Sequence, residues 1–119
     1  MSTCDIGKDG EDRAIFWLES KGYKIIQRNF RRRGFEIDIV ALDKNKVLRF
    51  IEVKTIKNGC LSDAVFSIEQ RNISNYVKGV EAFIASNVVY SNFQLSMDAL
   101  IVESKDVHYY ENITQGLLL

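Results

Sequence analysis

Two β-rich runs, Phe35–Leu42 and Val47–Thr55, stand on either side of the polar tetrapeptide Asp43-Lys44-Asn45-Lys46. Strand formers interrupted by turn formers over this length commit the middle of the chain to an antiparallel hairpin. Side chains alternate faces along a strand, so Glu36, Asp38, Val40 and Leu42 are expected on one face of the first strand, and Leu48, Phe50, Glu52 and Lys54 on one face of the second. If the two sets share a face, its turn end is apolar and its open end carries three acids and a lysine. The parity of the register decides this. A three-residue loop over 44–46, pairing Asp43 with Val47, brings Asp38 opposite Glu52, whereas a two-residue loop puts them on opposite faces unless a bulge intervenes.

Elements of other kinds surround the hairpin. Ala14, Ile15, Trp17 and Leu18 recur at helical spacing, with Asp5 or Asp9 as candidate cap and Gly22 as the expected stop. Residues 23–30 read as a strand closed by the turn Arg31-Arg32-Arg33-Gly34, and residues 56–66 read as loop around Asn58-Gly59. Ser67-Ile68-Glu69-Gln70 fits a capping box, and Ile68, Ile73, Tyr76, Val77, Val80, Phe83 and Ile84 supply a helical stripe to about Ser86. Residues 95–102 read as a buried strand and 107–110 as a shorter one. The order is α-β-β-β-α-β-β, without repeat or linker. The chain has 119 residues, 46% of them apolar, enough to bury a core without a metal or disulfide staple. One α/β domain over residues 1–119 is therefore expected, with a mixed central sheet flanked by helices.

Several classes are excluded. No run approaches the ~18 apolar residues of a membrane span, and the first eleven residues carry Asp5, Lys8, Asp9 and Glu11 in place of an apolar signal core. A cytoplasmic location is the expectation. Cys4 and Cys60 lack CxxC spacing and suit reduced thiols. Sixteen basic residues balance sixteen acidic ones, but unevenly: residues 1–33 carry a net +3 and residues 58–119 a net −4. Lys21, Lys24, Arg28, Arg31, Arg32 and Arg33 fall together with no acid among them, the kind of cluster that attracts phosphate backbones. The competing reading is a solvated loop.

Carboxylates on neighbouring strands, with a main-chain carbonyl nearby, offer the hard oxygen donors that Mg²⁺ prefers. A lysine two residues on from one of them, as Lys54 is from Glu52, could orient water or stabilise a phosphoryl transition state. Against this stands a plain cross-strand ion pair between Lys54 and one of the acids. Gln70 is read first as a cap partner, His108 as surface or packing, and Phe16 and Trp17 as core. Leu117, Leu118 and Leu119 form an apolar tail that could dock on the domain or on a partner.

Gly7-x-x-Gly10-Glu11-x-x-Ala14, Gly22-Tyr23, Arg28-Asn29, Glu36-Ile37-Asp38-Ile39-Val40-Ala41 and Glu52-Val53-Lys54 resemble, in order and spacing, the bacterial YraN-like uncharacterised family. That family is similar to archaeal Holliday junction resolvases of the PD-(D/E)XK, restriction-endonuclease-like superfamily. Asp98 in Met97-Asp98-Ala99 looks like the Phe-Asp pair of the family's late strand. The resemblance implies a restriction-endonuclease-like core. It further implies that Glu11, Asp38 and Glu52 ligate Mg²⁺ or Mn²⁺, with the Val53 carbonyl as a further ligand and Lys54 as the catalytic lysine. On this reading the substrate is structured or branched DNA, held by Arg28, Arg31, Arg32 and Arg33, and the resolvases suggest a homodimer by analogy. The chain departs from the family pattern at Phe35, which stands between Gly34 and Glu36, and at Glu69, where a basic residue is usual. The rival expectation is a catalytically inactive nucleic-acid-binding or protein-interaction module on the same fold.

Overall fold

The computed structural model describes residues 3–56, 73–104 and 106–113. Among these residues, two helices lie against a five-stranded mixed sheet: α1 (Thr3–Ser20), β1 (Lys24–Arg32), β2 (Phe35–Leu42), β3 (Val47–Thr55), α2 (Ile73–Ser86), a 3-10 turn (Val88–Tyr90), β4 (Gln94–Val102) and β5 (Val107–Tyr110). The strands lie in chain order, β1-β2-β3-β4-β5. Among the described strands only the β3–β4 contact is parallel, and α2 belongs to the crossover that such a contact requires. The expected element order and the expected α/β class are both present. The Ser67–Gln70 capping box, Cys60 and the 117–119 tail lie outside the described residues.

Each helix covers one face. Ala14 and Leu18 of α1 pack on Ile39, Ala41, Ile51, Leu100 and Val102, while Tyr76, Val80 and Phe83 of α2 pack on Phe30, Ile37, Val40, Leu48 and Phe50. A smaller cluster joins Ala99 and Ile101 to Ile56, Tyr110 and Ile113. Gly22, at φ +89°, ends α1 as expected. The Tyr23 N–H donates to the Leu18 carbonyl and the Gly22 N–H to the Glu19 carbonyl, the paired bonds of a Schellman turn.

Three local expectations are corrected. Helix α1 begins at Thr3, so Asp5 and Asp9 lie within it and do not cap it; the stripe from Ala14 marks only the packed part of a longer helix. Strand β1 runs on through Arg31 and Arg32, which pair with Glu36 and Phe35, leaving Arg33 and Gly34 as the turn. The Arg31–Glu36 ion pair, at 3.2 Å, helps hold this extension together. Phe16 is 76% exposed. It lies half a helical turn from Ala14 and Leu18, so it points away from the sheet they face.

Candidate metal and nucleic-acid site

The β2–β3 register pairs Leu42 with Leu48 and continues to Ile39 with Ile51. This is the even-sum register that a three-residue loop over 44–46 requires. The loop is fixed by Asp43, whose Oδ1 accepts the N–H groups of Asn45 (2.8 Å) and Val47 (2.9 Å), and by Lys46 at φ +62°. The Asp43 N–H donates to the Val47 carbonyl at 3.0 Å. Residues 43 and 47 thus face each other across backbone bonds, as do 41 with 49 and 39 with 51 further along, and the next such pair would be 37 with 53.

That pair does not form. The Val53 N–H donates instead to Asp38 Oδ2 at 2.8 Å, so a side-chain carboxylate takes the place of a ladder carbonyl. On β1, the residue level with Asp38 is Asn29, which adopts φ +52° and interrupts the pairing between Arg28–Ile39 and Phe30–Ile37. Past this point the faces exchange. Ile39 packs under α1, but Ile37 and Phe30 pack under α2. The expectation that Glu36, Asp38, Val40 and Leu42 share one face is therefore corrected: the alternation breaks at Asp38, and Glu36 is an exposed partner of Arg31.

Asp38 and the Glu52-Val53-Lys54 triplet meet where the hairpin opens. Glu52 is only 1% exposed, on the α2 side with Leu48 and Phe50 by strand alternation, whereas Asp38, Val53 and Lys54 are half-buried. The N–H and C=O of one residue in an extended strand leave on the same edge, so the Val53 carbonyl is directed into the gap that Asp38 occupies. Glu11 comes from the other side of the sheet. Its Oε1 lies 3.8 Å from Arg28 Nη2, which also donates to Asp12 Oδ1 at 2.9 Å. Among the described residues, no three His, Cys, Asp or Glu side chains gather as a metal-binding group. Mg²⁺ commonly takes only one or two carboxylates and completes its shell with water and phosphate, so the donors at Asp38, Glu52 and Val53 suit it chemically.

The expected phosphate contacts divide into two pairs. Arg28 and Arg31 are engaged with acids, whereas the Arg32 guanidinium lies 4.3 Å from the centre of the Phe30 ring and Arg33 stands exposed at the hairpin tip. Of the lesser candidates, His108 Nε2 lies 2.9 Å from Glu103 Oε1.

Sequence reasoning missed a second polar centre, at the loop end of β3. Arg49 contacts Asp43 Oδ2 (3.1 Å), Asp98 Oδ2 (2.9 Å) and Glu111 Oε1 (3.1 Å). Asp98 is fully buried and also accepts from Ser96, from Tyr109 Oη and from the Asn112 N–H. Burial and the neighbouring Asp98 carboxylate push the Tyr109 hydroxyl far above its ordinary range. Burial likewise raises that of Tyr23, against the opposing pull of Arg49. The signal was present in the sequence: Arg49 between Leu48 and Phe50, and Asp98 inside an apolar run, are isolated opposite charges in two core strands.

A sequence model of the uncharacterised protein family UPF0102 matches residues 10–102. The chain belongs to this family. It is 36% identical to a UPF0102 protein of Treponema denticola over 83% of this chain and 81% of the relative. It is 34% identical to one of Campylobacter concisus over 91% and 92%, and 45% identical to one of Prosthecochloris aestuarii over 67% and 62%. The matched span of the UPF0102 model includes Glu11, Asp38, the Glu52-Val53-Lys54 triplet and all four expected arginines.

Proposed function

We propose that this UPF0102 protein is a divalent-metal-dependent nuclease-like domain of restriction-endonuclease-like fold, acting on phosphodiesters in structured or branched DNA. The observation that carries the reading is the meeting of Asp38 with Glu52-Val53-Lys54 at the opening of the hairpin, where a carboxylate has replaced a ladder carbonyl. Asp38, Glu52 and the Val53 carbonyl would hold Mg²⁺ or Mn²⁺, with Glu11 as a further donor. Such an ion supplies the positive charge that acidifies an attacking water and offsets the charge of the phosphate. Lys54, two residues beyond Glu52 on the same strand face, steadies the negative charge that builds on the phosphoryl oxygens. Arg32 and Arg33 hold the backbone from the hairpin tip, and a homodimer belongs to the same reading. With Mg²⁺ or Mn²⁺, purified protein is expected to cut a branched DNA, and Asp38→Asn and Lys54→Ala to lower the rate by about 10²-fold or more. No cleavage of any DNA or RNA, or variants that cut as well as the parent, would overturn it.

The pairing of Glu11 with Arg28 favours a second reading, a nucleic-acid-binding module without turnover. DNA retention that ignores metal and survives Asp38→Asn would select it.

A further inference from the structure

The outer side of α1 carries aromatic surface that the core does not use. Asp12, Arg13, Phe16, Trp17 and Ser20 of the helix, with Val107 of β5, line an open recess of about 350 Å³. Spacings of three and four residues bring the helix positions onto adjoining rows. Phe16 is 76% exposed, whereas Trp17 is half-buried, its ring centre 5.4 Å from that of Tyr109. Tyr109 is held in turn by the buried Asp98, so the indole is a braced platform. The charges left over beside it are positive. Asp12 is engaged by Arg28 at 2.9 Å, while the half-buried Arg13 forms no ion pair among the described residues and Lys21 Nζ lies 5.4 Å from the Trp17 ring centre. An exposed ring, a braced ring and an unpaired guanidinium match a planar aromatic group that carries an anion beside it.

We propose that this recess is a stacking subsite for an unpaired nucleotide: the base lies against Phe16 and Trp17, and the adjoining phosphate meets Arg13. Bases within a duplex have their faces covered by their neighbours, so only an unpaired base offers a face to these rings. The inference rests on the nucleic-acid half of the proposed function and on none of the metal donors. It narrows the substrate to DNA with single-stranded segments, such as forks and flaps. Continuity favours nucleic acid over a peptide: Asp12 joins the recess to Arg28 on β1, and β1 leads on to Arg32 and Arg33 at the hairpin tip.

Trp17 is the sole tryptophan of the chain, so its emission reports on the recess. The full chain, with divalent cations chelated to prevent turnover, is titrated with a short labelled oligothymidylate and with a duplex of the same length. Anisotropy of the label gives affinity, and Trp17 emission gives location. The single strand is expected to quench Trp17 saturably and the duplex to leave it unchanged. Phe16→Ala, at a position outside the core, is expected to weaken single-strand binding about 5- to 150-fold, and Phe16→Tyr to stay within about twofold of the parent. Arg13→Gln is expected to lower the steepness of log affinity against log salt by about 0.7. Single-strand binding that leaves Trp17 emission unchanged, or that Phe16→Ala does not weaken, overturns the subsite while the nucleic-acid reading stands. Binding of neither strand nor duplex overturns that reading as well. Quenching by an acidic, aromatic peptide and by no oligonucleotide overturns the proposal in favour of a protein partner.

Discussion

The Asp43 carboxylate accepts three hydrogen bonds at once. One carboxylate oxygen closes the β2–β3 loop through two backbone N–H groups, and the other meets Arg49, which in turn meets the fully buried Asp98. Burial alone would raise the Asp43 carboxyl. The Val47 N–H, the Arg49 guanidinium and the Asn45 N–H outweigh it and hold the group below its ordinary value of 3.8. A carboxyl depressed by folding stabilises the native state fully above its unfolded value, and that stabilisation is lost as pH falls through the folded value. Asp43→Asn keeps an acceptor for the loop and removes the charge. It is expected to cost about 1–2 kcal/mol at pH 7, with the gap to the parent closing below about pH 4, as read from urea midpoints across pH. Asp98 is less forgiving: losing one member of a buried pair typically costs about 3–5 kcal/mol.

At the scale of elements, the α1–β3 contact turns on one glycine. A Cβ on Gly10 would lie 2.0 Å from Thr55 Oγ1 and 3.3 Å from its Cβ. Gly10→Ala gains up to about 1 kcal/mol of helix propensity but forces α1 away from the end of β3, at about 1–3 kcal/mol. The expected outcome is a lower melting temperature in the parent background and a higher one in Thr55→Ala, a reversal of sign that a double-mutant cycle detects. The hairpin that β3 belongs to was legible in the sequence because alternation and turn chemistry agree there, and parity reduced the register to two choices. The α1 stop at Gly22 was legible for the same kind of reason. The exchange of faces at Asn29 and Asp38 was not, since asparagine tolerates positive φ without demanding it. The placement of Glu11 beside Arg28 also escaped, because strand periodicity says nothing of how a helix registers on a sheet. Phe16 misled as a large aromatic near a core stripe but half a turn away from it.

Across the whole molecule, charge and topology divide the labour. At the β1–β2 tip Arg32 and Arg33 are exposed and form no ion pair among the described residues, while Arg49 is consumed internally. If this tip tracks a phosphate backbone, Arg32→Ala and Arg33→Ala should each lower the steepness of log affinity against log salt by about one, equally for any DNA sequence. Fluorescence anisotropy with a branched DNA from 50 to 200 mM salt, on the order of the range where such slopes are read, measures it. An unchanged slope removes the tip from the interface.

The parallel ladder between β3 and β4 joins Val47 to Gln94 and Thr55 to Val102, so each pair closes a loop of more than forty residues. The β1–β2–β3 meander closes through turns of two and three. Loop-closure entropy grows with separation, and non-local pairing is the slow part of folding. The segment bearing Asp38, Glu52 and Lys54 is therefore the one whose assembly demands least of the chain, while the Arg49–Asp98 centre sits on the costly join and rewards its completion. The candidate chemistry is carried by the local half of the topology, and the lock by the distant half.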